Sequence, residues 1–142
     1  MDLFIRYKTF IREHSSKEIS VNDIKWKYLI GGSGEEFLLL LPGGTRQPGM
    51  RFQFLSELEE KFRTIYPYYP LVCQMKQLIN GLAAILDNES LTKTHIFGSS
   101  FGGLVGQYLL KEYPDRISKL ILNNTGTVII IMSKSLNGFE TC

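Results

Sequence analysis

This sequence predicts an α/β fold, in which an N-terminal antiparallel hairpin leads into a mostly parallel sheet flanked by helices. Three observations carry that expectation. Two runs that alternate apolar and polar residues meet at Asn22-Asp23. The period then changes, and "FLLLL" (Phe37 to Leu41) is apolar at every position, as in a strand covered on both faces. After it, segments of helical spacing alternate with short apolar runs, an order that implies parallel pairing through right-handed crossovers.

In "MDLFIRYKTFIREH", Leu3, Tyr7 and Phe10 fall at helical spacing with Ile11 beside them, which predicts an amphipathic helix. Asp2, Arg6, Lys8 and Arg12 interrupt it, so it lacks the continuous apolar core and cleavage site of a signal peptide. In "KEISVNDIKWKYLI", Ile19 and Val21 form one alternating strand and Ile24, Trp26, Tyr28 and Ile30 another. Asn22 and Asp23 tolerate the left-handed backbone that a tight hairpin needs. "GGSGEE" reads as a loop. From Met50 to Phe62 the pattern is helical, with Phe54, Leu58 and Phe62 four residues apart, and "TIY" is a short strand ended by Pro67 and Pro70. Gln74 to Leu86 is helical, with Met75, Leu78, Ile79, Leu82 and Ile85 on one side. "THIF", then Phe101 to Tyr113, then "KLILN" give strand, helix, strand. "GTVIIIM" is a strand-like run, and the polar end after it has no periodicity. The chain reads as one incomplete domain over residues 1–142, with a helical extension over 1–16 and an atypical tail over 125–142.

The bulk composition excludes several classes. Hydrophobic residues make up 44% and charged residues 21%, ordinary for a globular chain of 142 residues. A net charge of +2 gives no reason to expect nucleic acid or an anionic membrane as partner. No apolar run approaches the ~18 residues needed to span a bilayer. Cys73 and Cys142 make no disulfide framework and suit a reducing, cytoplasmic setting. The glycosylation patterns at Asn88 and Asn123 read as loop caps, given the missing secretion signal. No cysteine–histidine cluster suggests a metal, and no motif suggests a cofactor.

The most informative stretch is "HIFGSSFGGLVGQYLL", His95 to Leu110. A very tight turn from strand to helix strains its apex and crowds the residues two before and two after, which then favour glycine. Ser100 has Gly98 and Gly102 at those positions, whereas Ser99 has Phe97 and Phe101. Ser100 is therefore the candidate nucleophile. The N–H of Phe101, at the positive end of the new helix, is placed to meet a developing oxyanion. A phosphate loop is disfavoured: no Lys-Ser/Thr follows, and the glycines do not fit G-x-G-x-x-G.

From about Lys17 to Asn124 the chain resembles the N-terminal half of the α/β-hydrolase superfamily. "FLLLL" followed by Pro42-Gly43-Gly44-Thr45 resembles the family's oxyanion loop, which implies Gly44 as second backbone donor and Thr45 as fallback. Pro42 stands where many members carry histidine. "KEYPDRISKLIL" resembles the helix exit after the family's elbow. "HIFGSSFGG" and "IYPYYPLV" look most like the maspardin-like branch, which implies a binding protein as the alternative to an enzyme.

A serine hydroxyl needs a base, and the base needs an orienting carboxylate. The superfamily order is Ser, then Asp or Glu, then His. No histidine follows Ser100, and the acids that do are Glu112, Asp115 at the helix exit and Glu140 in the tail. His95, five residues before Ser100 in an extended strand, lies roughly 15 Å away and reads as structural. His14 ends the first helix. Neither is a credible base, and a truncated product is the simplest expectation. The first reading is part of a serine hydrolase of carboxylic esters or similar acyl substrates, with acid and base on sequence this chain lacks. The second is a non-catalytic binding protein of the same fold, with an unknown protein partner. An uncovered sheet edge also predicts self-association.

Overall fold

The computed structural model describes residues 2–48, 52–72 and 74–127. The apolar run from Val128 to Met132, the rest of the tail, Cys73 and the expected helix start at Met50 lie outside the described residues. Helix α1 (Leu3–Glu13) leads into the hairpin of β1 (Ser15–Val21) and β2 (Ile24–Gly31). Then follow β3 (Glu36–Leu41), α2 (Phe52–Leu58), β4 (Phe62–Tyr68), α3 (Met75–Asn88), β5 (Thr94–Ser99), α4 (Phe101–Glu112) and β6 (Ile117–Asn123). The six strands form one sheet in the order β1-β2-β4-β3-β5-β6. β1 and β2 are antiparallel, as are β2 and β4, while β3 pairs in parallel with β4 and β5, and β5 with β6.

The hairpin turns at Asn22 and Asp23 with φ of 49° and 64°, the left-handed pair that matches the twist of the strands. It sets Ile19 opposite Trp26 and Val21 opposite Ile24. The apolar run of β3 is divided between two cores. Leu39 and Leu41 join Trp26, Ile65, Leu82 and Ile96 beneath α3 and α4, while Leu38 and Leu40 join Phe10, Leu29, Leu55 and Tyr66 beneath α1 and α2. Each fully buried aliphatic side chain stabilises by roughly 1.5–3 kcal/mol, so the strand that feeds both cores is the axis of the fold.

Two boundaries differ from the sequence expectation. The second helix ends at Leu58 and Phe62 begins β4, so the four-residue repeat ran past the helix. Leu55 of α2 is buried, and Phe54 is 47% exposed. β4 also continues through Pro67, which pairs with Tyr28 of β2. The ladder with β3 stops at Ile65, so a residue without an N–H takes no bond from that side. The first strand starts at Ser15, leaving α1 as the helical part of the N-terminal extension. No helix among the described residues is long and apolar enough to cross a membrane.

Candidate functional site

The parallel register brings three chain segments to one end of the sheet. Leu41 pairs with Gly98, and Ser99 pairs with Asn123. At that end β5 passes into α4 through Ser100, whose backbone has φ 54° and ψ −124°. Such a conformation is costly for a residue with a Cβ and persists only where the surroundings hold it. The Ser100 N–H donates to the Asn123 carbonyl at 3.1 Å, and the Ser100 carbonyl accepts from the N–H groups of Gly103 and Leu104. The Thr125 hydroxyl donates to the same carbonyl at 2.6 Å.

The glycines around this apex are required by space. A Cβ on Gly98 would lie 2.5 Å from the Gly102 carbonyl oxygen, the crowding expected of that pair. A Cβ on Gly102 would instead strike the Leu41 carbonyl and lie 2.7 Å from that of Pro42. Gly102 therefore faces the end of β3 and lets α4 start against it. The two serines also separate. Ser99 is a strand residue whose Oγ accepts from Asn123 Nδ2 at 3.3 Å, whereas Ser100 is exposed.

Ser100 opens onto a pocket of about 260 Å³ whose walls include Gly43, Thr45, Pro48, Leu55, Tyr66 and Phe97. Gly43 is the loop glycine beside Ser100, its Cβ position 3.7 Å from the Ser100 Cβ, a neighbour that sequence reasoning passed over. Gly44 is exposed, with open space where a Cβ would stand. The loop folds back through Arg46 (φ 61°), whose N–H donates to the Gly43 carbonyl and whose carbonyl accepts from the Tyr69 N–H. In the first turn of α4 the N–H groups of Phe101 and Gly102 have no backbone acceptor among the described residues.

Tyr66 is the titratable member of this wall. Burial pushes its hydroxyl pKa far up, so it is a neutral donor, and it is directed at Glu59. The two histidines are elsewhere. His95 lies early in β5, with Nε2 3.4 Å from Glu36 Oε1 and its ring edge-on to Phe62. His14 is bound to Glu59. No group of three or more metal-ligating side chains forms among the described residues.

A family model described as the alpha/beta hydrolase fold matches residues 72–140, which contain the turn at Ser100 and the helix after it. A hydrolase from Pseudomonas aeruginosa superposes with a TM-score of 0.71 at 25% identity, over 78% of this chain and 46% of that one. The chain belongs to the α/β-hydrolase superfamily. The chain is 30% identical over 115 residues to a proline iminopeptidase of Lactobacillus helveticus, spanning 70% of itself and 39% of that protein. It is 50% identical over 68 residues to the alpha/beta hydrolase domain-containing protein WAV2 of Arabidopsis thaliana, 44% of this chain and 22% of that one. Naproxen esterase from Bacillus subtilis shares the fold, with a TM-score of 0.68 at 23% identity over 84% of this chain and 49% of that one. The chain thus spans less than half the length of these relatives.

Proposed function

We propose that this chain carries the nucleophile-bearing part of a serine hydrolase acting on carboxylic esters or related acyl substrates. The observation that supports it is the backbone of Ser100, held at φ 54° and ψ −124° between a strand and a helix. That conformation pushes the hydroxyl out of the turn toward a pocket with apolar walls, where an acyl chain fits. The reaction would begin with attack of Ser100 Oγ on the acyl carbon. The N–H groups of Phe101 and Gly44 would stabilise the oxyanion, the first helped by the positive end of α4. The proton of Ser100 needs a base, and neither His14 nor His95 lines the pocket. Acid and base would then be supplied by sequence outside this chain.

The commitment of both histidines elsewhere favours one alternative, a binding protein that uses the same pocket without turnover, as in the maspardin-like branch. Sequencing the transcript beyond the codon for Cys142 and assaying the encoded protein separates the two. A downstream acid and histidine, with ester hydrolysis lost in Ser100→Ala and reduced in Gly44→Pro, supports the hydrolase. Hydrolysis undiminished by Ser100→Ala overturns it, and absence of a histidine with no hydrolysis supports the binder.

A further inference from the structure

Away from Ser100, one polar cluster ties an outer element to the pocket wall. His14 follows α1 with 7% of its side-chain surface accessible. Its Nδ1 faces the Phe10 carbonyl, and its Nε2 lies 2.6 Å from Glu59 Oε1. A carbonyl and a carboxylate both accept, so hydrogen on each imidazole nitrogen satisfies both bonds. The same Glu59 oxygen accepts from Thr64 Oγ1 at 2.9 Å and from the Tyr66 hydroxyl at 2.8 Å. Three donors on one oxygen are the environment of an ionised carboxylate.

The surroundings are built around this pair. The His14 ring centroid is 4.0 Å from that of Phe10, and Tyr66 meets the ring edge-on at 5.7 Å. Gly31 of β2 leaves the space empty, because a Cβ there would collide with both His14 and Glu59. The charged or titratable groups acting on His14 are Glu13 from its own helix, Glu59 from the turn after α2, and Tyr66 from β4. Elsewhere on α1, the Tyr7 hydroxyl donates to the Pro48 carbonyl at 2.7 Å. Pro48 and Tyr66 are both walls of the pocket at Ser100.

We infer that α1 is a pH-gated brace for that pocket, pinned by the His14–Glu59 ion pair and released when His14 gives up its proton. The inference concerns the pocket wall and holds whatever chemistry Ser100 performs. Burial alone pushes the His14 pKa down, but the Glu59 bond, the Phe10 carbonyl and the charges of Glu59 and Glu13 outweigh it and raise the pKa. Burial likewise pushes Glu59 up, and the bonds from His14, Tyr66 and Thr64 outweigh it and lower the pKa. A raised histidine contributes fully below its unfolded value of 6.5 and loses that contribution as pH rises through the folded value. A lowered glutamate contributes above 4.5 and loses it as pH falls through the folded value. The brace is therefore closed between the ordinary glutamate and histidine values, 4.5 and 6.5, and opens as pH rises through the raised His14 value.

The test is an NMR titration of the whole chain that follows the His14 ring nitrogens and the backbone amides together. Both ring nitrogens should carry hydrogen below pH 6.5, with a midpoint above that ordinary histidine value. The amides of Gln47, Leu55 and Ser99 should shift with the same midpoint. The amides of α1 should lose protection by about tenfold beyond the intrinsic alkaline rise, the scale of one charge-assisted hydrogen bond. Glu59→Gln should lower both midpoints together. Should it fail to fold, His14→Gln must abolish the pH dependence of the pocket amides. A His14 midpoint at or below 6.5, or pocket amides that ignore that midpoint, would overturn the brace.

Discussion

The Thr125 hydroxyl donates to the Ser100 carbonyl at 2.6 Å, and the Thr125 side chain also fills the space over Gly103. The strained apex is thus held from the segment that follows β6 as well as from its own helix. Thr125→Val keeps the shape and removes the donor. The Ser100 carbonyl retains the N–H groups of Gly103 and Leu104, so the expected loss is about 1 kcal/mol. Urea denaturation at unchanged m value reads it.

Gly102 and Ser100 should respond in opposite degree to substitution. A side chain on Gly102 meets the Leu41 and Pro42 carbonyls, backbone groups with no room to retreat. Gly102→Val should destabilise by several kcal/mol, and Ser100→Ala by less than about 1. Equal shifts of the denaturation midpoint would show that no tight turn is present.

The chain by itself should not turn over p-nitrophenyl esters above background. Among the described residues, neither histidine lines the pocket at Ser100. Removal of a triad member leaves roughly 10³–10⁴ over water in a well-formed site, and a pocket lined by neither histidine should give no more. Saturable hydrolysis that disappears in Ser100→Ala would contradict this expectation.

The sheet was legible because its cues are local. Asn22-Asp23 states its own turn, the unbroken run Phe37 to Leu41 states burial on two faces, and the Gly98-x-Ser100-x-Gly102 spacing states a tight strand-to-helix turn. The end of α2 was not legible, since Phe62 continues the helical spacing of Phe54 and Leu58 but packs, half-buried, from a strand. Nor was the partnership of His14 and Glu59, separated by 45 positions. Periodicity carries no information on which polar ends will meet after the sheet has assembled. Gly43 was passed over for a related reason: its neighbourhood with Ser100 arises from the Leu41–Gly98 register, a long-range fact.

Glu89 should make the protein acid-sensitive through a contact remote from Ser100. It accepts from Lys17 Nζ at 2.8 Å and from the Tyr28 hydroxyl at 2.6 Å, tying the end of α3 to the hairpin. Burial pushes the Glu89 pKa up, but the Lys17 and Tyr28 bonds outweigh it and lower the pKa. The stabilisation is present above 4.5 and is lost as pH falls through the folded value. Glu89→Gln should cost about 1–2 kcal/mol at neutral pH, and the gap to the original chain should close in acid. A pH-independent gap would mean that packing rather than charge holds this corner.

Association should begin at β6. It is the last strand of the six-stranded order, and Ile121 and Leu122 are 48% and 45% exposed. These neighbours point to opposite faces of the strand, so each face of this edge presents an apolar side chain. An edge of this kind offers unpaired backbone groups and apolar cover to another chain at once, the combination that natural sheets block with charge. Ile121→Lys places a charge there without touching the buried cores, and should raise the concentration at which light scattering first departs from that of a monomer. Leu122→Lys should act in the same direction from the other face. A monodisperse, cooperatively melting monomer in the unsubstituted chain would show that the edge is already covered.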